Sequence, residues 1–383
     1  MFDSHGRDPG LGLVPGSTGR VLGWDVLRGL CALAVASYHL LYWQGLASLH
    51  TLGSYGVYLF FVLSGASLAY TYGGRLASAR EAGAFLFTRW LRLAPLYLVL
   101  CVVFIAFLSV RNGEPVDRLP LRLALNASFA FGLHDPTVWA LLIGGWSLGI
   151  EFVYYLAFPL LLAAVSRPRW CAATALGLGL LQWAWIYRTA GSGAGYAATT
   201  AAYHQVPAFA AYFFGGCVIG HCRRARFLSL APSAGVAVWM ATAGLLLALN
   251  PAQAGDELLG ARGAALFGLC FAAVFVSGHV NLSGRAAGAA QWLGDITYGC
   301  YLLHPMLLFG FVWFVLPRFG VPEVEGLTIA ARWAVLAGVL ALSCLGAAAS
   351  DRWFEAPLRR RGKRMLGRWG AAAPYNEAAS ISS

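Results

Sequence analysis

Long apolar runs separated by short polar connections rich in arginine dominate this chain. Ten runs stand out, at 21–43, 52–70, 85–110, 138–164, 170–186, 203–220, 231–249, 263–280, 293–314 and 329–349. Each lies near the roughly 20 residues that a helix needs to cross a hydrocarbon core about 30 Å thick. A further apolar segment, 119–133, reads as a re-entrant or interfacial piece. The pattern therefore predicts an all-α fold, a polytopic transmembrane helical bundle of about ten spans. A cytoplasmic N-terminal segment (1–20) precedes a membrane domain (21–350), and a basic cytoplasmic C-terminal segment (351–383) follows it. Segment 1–20 is polar and rich in Gly and Pro, so no removable leader is expected there.

Composition agrees with the pattern. Of the 383 residues, 59% are hydrophobic and 11% charged, where soluble domains run about 45–50% and about 25%. Mean hydropathy is +0.66. The net charge of +11 comes almost wholly from arginine. In a chain this apolar it points to membrane sidedness, not to nucleic acid. With the N-terminus inside, nineteen cations fall on the cytoplasmic side and seven outside, so both termini are expected in the cytoplasm. The tail from Arg359 to Arg368 suits contact with anionic lipid of the bilayer. The eight cysteines sit mostly inside apolar runs and read as small buried hydrophobes. Cys217, His221 and Cys222 lack a partner cluster, so no metal is expected.

Ionisable groups inside hydrocarbon are costly and mark candidate sites. The first run holds Asp25, Arg28 and His39. Eleven helical residues put Arg28 and His39 on one face about 16 Å apart, with Gly29, Ala32 and Ala36 between them, as in the wall of a groove. A neutral imidazole there can take a proton near neutral pH. The plainer reading is an i,i+3 ion pair between Asp25 and Arg28 beside a structural histidine. Ser147 and Glu151 share a face of the fourth run, and Glu151 comes out at a depth comparable with His39. It can orient that histidine, hold a substrate hydroxyl, or be a structural acid. Arg89 and Arg92 form an i,i+3 pair suited to an anionic cosubstrate or to lipid headgroups. Tyr298, Tyr301 and His304 follow at intervals of three, and His304 can instead cap carbonyls freed by Pro305. There is no P-loop, G-x-S-x-G or H-E-x-x-H. Gly215, Gly216 and Gly220 can pack helices within one chain or between chains, so the oligomeric state stays open.

Several blocks occur in order: Leu27-Arg28-Gly29-Leu30 ending at His39, Leu59 to Gly65, Arg89-x-x-Arg92 with Pro95, and Trp146-Ser147-Leu148 with Glu151. Tyr298-x-x-Tyr301-Leu302-x-His304-Pro305 and Glu355-x-Pro357 complete the set. In these the chain resembles acyltransferase family 3, integral membrane enzymes that O-acylate sugars. The resemblance runs from about Trp24 to Pro357, and departs at Tyr58, where many relatives carry an acid, and at Thr297, where Ser is usual. It implies transfer from cytoplasmic acyl-coenzyme A, commonly acetyl-coenzyme A, to a hydroxyl of a cell-surface carbohydrate or glycolipid. Arg28 and His39 match essential residues, and Arg89 and Arg92 match a pair associated with the coenzyme. The expected catalytic set is His39, Glu151 and Arg28; the expected substrate-binding set is Arg89, Arg92, Ser147, Tyr298 and His304. The inner membrane is the expected location. A transporter or flippase for a sugar-lipid is the alternative from another class.

Overall fold

The computed structural model describes residues 20–74, 76–113, 116–191, 203–225 and 228–368. These are helical almost throughout, with no strand among them beyond one isolated bridge between Leu230 and Val280. A chain of this hydropathy can satisfy its peptide groups in lipid only within its own helices. Each of the ten predicted runs is indeed mainly helical. In order these helices are α1 (Leu22–Trp43), α2 (His50–Tyr72), α3 (Ala79–Asn112), α4 (Leu119–Ser128), α5 (Pro136–Trp139), α6 (Gly145–Val165) and α7 (Pro168–Ala190). After them come α8 (Ala210–Ala225), α9 (Pro232–Ala248), α10 (Gly260–His279), α11 (Gly284–Gly310), α12 (Ile329–Ser350) and α13 (Ala356–Arg368).

Among the described residues, seven helical segments are long and apolar enough to cross a membrane, namely α1, α2, α3, α6, α10 and the segments built on α11 and α12. Of the other three predicted runs, α8 and α9 have 16 and 17 residues, short of a straight crossing. α7 has the length but is more polar, with Gln182 and Arg188. The protein is a multi-pass membrane protein by these helices. Arg7, Arg75 and Arg226, part of the charge asymmetry, lie outside the described residues, as does segment 369–383.

Local chemistry sets the helix ends. Ser78 and Glu81 form a reciprocal capping box at the start of α3, and Gly113 ends that helix in the left-handed region. The fourth predicted run, 138–164, needs correction. Asp135 caps the short α5, residues 140–144 leave the helix, and α6 begins only after Gly144 at φ +81°. A hydropathy pattern does not register a backbone turn of this kind, which glycine adopts without steric cost. Segment 119–133 is neither a span nor a simple loop. It is α4 followed by a turn of 3-10 helix that buries Phe131.

The most enclosed element is α2. It meets α8 backbone to backbone: a Cβ on Gly65 would lie 2.1 Å from the Phe213 carbonyl oxygen, and one on Gly216 2.1 Å from that of Val62. Gly220 stands equally close to Ala66. Gly216 and Gly220 thus pack helices within the chain. Along α2 the partly accessible residues include Phe60, Ser64, Ser67 and Thr71, a single face on an otherwise buried helix.

Candidate active site

His39 lies near the C-terminal end of α1, half-buried, and its Nδ1 is 3.0 Å from Nε2 of His304 on α11. The two ring planes are 12° apart and their centroids 5.2 Å apart, so the imidazoles meet edge to edge. Trp43, one turn on, lies parallel to the His39 ring at 4.6 Å. The Nδ1 of His304 is 3.1 Å from the Cys300 carbonyl, and His304 is 1% exposed. One nitrogen of the ring thus faces a backbone carbonyl, though not the one Pro305 frees, and the other faces His39.

His39 lines a cavity of about 390 Å³ together with Tyr38, Tyr42, Trp43, Trp146, Tyr203 and Tyr301. His50, His204 and Glu257 reach the same space. Among the described residues, Nδ1 of His50 is buried without a hydrogen-bond partner. The roof is the non-helical segment between α5 and α6, which hangs from Asn126. That side chain donates to the carbonyls of Arg122 (2.7 Å) and Trp139 (2.8 Å), and accepts from the Tyr97 hydroxyl (2.5 Å) and the Leu141 N–H (3.0 Å). Asn126 was not among the expected residues. Its one sequence signal is a polar amide inside the apolar stretch 119–133.

Below the cavity the hydroxyls form a layer. Ser147 Oγ and Tyr301 OH are 2.9 Å apart, and each is 3.0 Å from the Gly144 carbonyl. Tyr301 is a second residue the expected set omitted, although its motif contains it. One turn further along α6, Glu151 Oε1 accepts from Ser64 (2.7 Å) and from Tyr155. Glu151 makes no hydrogen bond with His39; the matching depth placed them at one level but on different neighbours. Tyr298 OH is committed to the Leu93 carbonyl.

At the far end, Arg28 donates to Asp25 Oδ1 (2.8 Å) and to Ser67. Asp25 also binds Arg20, which reaches Asp295 at 2.9 Å. The ion pair expected as the plainer reading is present, with Arg28 extending past it to Ser67. Arg92 interacts electrostatically with Arg28 and, among the described residues, has no side-chain hydrogen bond. Arg89 lies against the Tyr72 and Phe85 rings, donates to Tyr72 OH at 3.3 Å, and keeps a buried Nε without a partner among the described residues.

The expected groove along Gly29, Ala32 and Ala36 is not there. Ala32 and Ala36 are buried, and a Cβ on Gly29 would meet Leu293 at 2.8 Å, so that face is a contact with α11. The open face between the arginines and the cavity is instead that of α2: Ser67 beside Arg28, Ser64 beside Glu151, and Phe60 against the Tyr301 ring at 6.2 Å. Comparison with known proteins is decisive on kind: residues 21–349 match the model of the acyltransferase domain of acyltransferase family 3. The chain belongs to that family. Within it, acyltransferase MdmB of Streptomyces mycarofaciens is 35% identical over 171 residues, covering 38% of this chain and 42% of the relative. The chain thus matches less than half the length of that curated relative. No solved structure matches this member of acyltransferase family 3.

Proposed function

We propose that this membrane acyltransferase moves an acyl group, acetyl in the simplest case, from cytoplasmic acyl-coenzyme A to a hydroxyl of a carbohydrate or glycolipid on the other side of the inner membrane. The observation that carries the reading is the polar path between two unlike ends. One end holds Arg28, Arg89 and Arg92, and the other an aromatic cavity with a histidine in its wall.

The cosubstrate's chemistry fits the residues present. Arg92 and the Nε of Arg89 have donor capacity that the described residues do not use, as a phosphate-bearing molecule requires. Arg28 extends the positive field toward Ser67. A pantetheine arm is polar at its amides and slender. The α2 face of Ser67, Ser64 and Phe60 offers hydroxyls and a ring along a length of about 10 Å. The thioester then reaches His39, and the acceptor enters from the cavity. Aromatic walls suit the apolar faces of a sugar ring, and the unpartnered Nδ1 of His50 suits one of its hydroxyls.

His39 takes the proton of the acceptor hydroxyl as its oxygen attacks the thioester carbonyl, and returns it to the departing thiolate. The alternative is a first attack by His39 itself to give an acyl-imidazole, which the acceptor then resolves. Glu151 acts through Ser64 and Tyr155, holding the midpoint of the path. Ser147 and Tyr301 supply hydroxyls beside the reacting centre.

The test is incorporation of labelled acetyl from acetyl-coenzyme A into glycan within sealed inverted vesicles. Wild type should label lumenal glycan and His39→Ala should not. Equal labelling by both would remove His39 from the chemistry.

A further inference from the structure

The two histidines constrain each other's protons. A backbone carbonyl can only accept, so the Nδ1 of His304 that faces the Cys300 oxygen carries hydrogen. The next carbonyl along the helix is that of Tyr301. Its own helical partner four residues on is Pro305, which has no N–H to give. In the neutral ring the remaining nitrogen, Nε2, is then a lone-pair acceptor, and it lies 3.0 Å from His39 Nδ1. Two lone pairs cannot face each other at that distance, so His39 Nδ1 carries hydrogen and its Nε2 is the basic nitrogen.

We propose that His304 is a positioning residue that fixes His39 in the Nδ1–H tautomer and so presents Nε2 as the base or nucleophile. This rests on the reading of His39 above and assigns the atom through which it acts. The pinned geometry supports the role: Trp43 lies parallel to the His39 ring, and the edge-to-edge contact with His304 sets its rotation. When Nε2 takes the acceptor's proton, the imidazolium keeps its Nδ1–H bond to His304. The acceptor oxygen forms its bond to the carbonyl carbon of the acyl-coenzyme A thioester. The carbon–sulfur bond then breaks, and the thiolate recovers the proton from Nε2. No proton needs to pass to His304, whose other nitrogen is held by the backbone. The arrangement shares the logic by which a buried partner fixes the tautomer of a catalytic histidine in other acyl-transfer enzymes.

The experiment reads the tautomer directly. Full-length protein with 15N-labelled histidine is placed in lipid nanodiscs, and the His39 signals are assigned by difference from His39→Gln. The expected wild-type result is a protonated Nδ1 and an unprotonated Nε2, each identified by its 15N shift. His304→Gln can still accept from His39 and donate to Cys300, and should keep that pattern. His304→Phe keeps an aromatic ring without an acceptor, and should give a mixture of tautomers or the reverse one. A wild-type His39 carrying its hydrogen on Nε2 overturns the proposal, whatever the variants do.

Acetyl transfer in the vesicle assay separates this proposal from its foundation. His304→Phe should lower kcat by at least about tenfold with KM for acetyl-coenzyme A within about twofold, and His304→Gln should recover most of the loss. An inactive His39→Gln beside a fully active His304→Phe sinks the tautomer assignment alone. An active His39→Gln sinks the reading of His39 itself.

Discussion

Replacing Asp25 by Ala tests whether the inner end of the path is a coupled charge cluster. Asp25 is 3% exposed and holds both Arg28, at 2.8 Å, and Arg20. Removing it leaves Arg28 facing the site with no counter-charge and Arg20 with Asp295 as its remaining ion-pair partner among the described residues. Breaking a buried pair from one side costs about 3–5 kcal/mol where both ions are fully desolvated. Here the Arg20 and Arg28 side chains keep 28% and 22% exposure, so water recovers part of their charge and the loss falls to about 2–3 kcal/mol. At about 2–4 °C per kcal/mol, the apparent unfolding midpoint should drop by about 4–12 °C. Tryptophan emission during heating at a fixed scan rate, in one lipid–detergent mixture, measures this, since only differences at a common rate are comparable for irreversible unfolding. Adding Arg28→Ala to Asp25→Ala should cost less than the sum of the single changes, by about 1 kcal/mol, because the second change removes a charge the first left unpaired. An Asp25→Ala protein that unfolds within about 1 °C of wild type would refute the cluster.

Arg89→Ala and Arg92→Ala should each raise KM for acetyl-coenzyme A by about tenfold in the vesicle assay, while acetyl-pantetheine, which lacks the phosphates, should respond far less. A comparable rise for both donors would put the arginines elsewhere than on phosphate. Gly216→Leu should abolish stable α2–α8 packing, since even a Cβ would lie 2.1 Å from a carbonyl oxygen, and yield of monodisperse protein is the readout. Asp135 lies outside the spans. Burial would raise its carboxyl, but hydrogen bonds from Thr137 and Val138 outweigh that and hold it below the usual value. Its cap on α5 should therefore contribute fully above the ordinary carboxylate range and fade as pH falls through the depressed value. Asp135→Ala should remove about 1 kcal/mol at neutral pH, and hydrogen exchange at Thr137 and Val138 should report it.

The helices were legible because lipid imposes one solution on a long apolar run, and seven of the ten predicted runs hold helices long and apolar enough to cross a membrane. The fourth failed at Gly144, whose left-handed turn costs no hydropathy and leaves no trace in it. Membership of the family was readable from ordered blocks such as Arg89-x-x-Arg92 and Tyr298-x-x-Tyr301. Partnerships were harder. Glu151 and His39 come out at equal depth by counting residues, but counting gives no azimuth around the bundle, and Glu151 turned out to face Ser64 and Tyr155. The link between His39 and His304 spans 265 residues. Periodicity within α1 and α11 could nominate each histidine but not join them. The small face of Gly29, Ala32 and Ala36 illustrates a related ambiguity: small residues suit an open groove and a close helix contact equally, and Leu293 decided for the contact.

The roof held by Asn126 has a consequence for how such proteins diversify. The chain between α5 and α6 lines the cavity, whereas the paired histidines belong to α1 and α11, distant in sequence. Entry and reactivity are thus written in separate stretches of the gene. A lineage can exchange Ala140 to Ile143 and alter what is admitted, while Gly144, whose carbonyl holds Ser147 and Tyr301, and the paired histidines stay as they were.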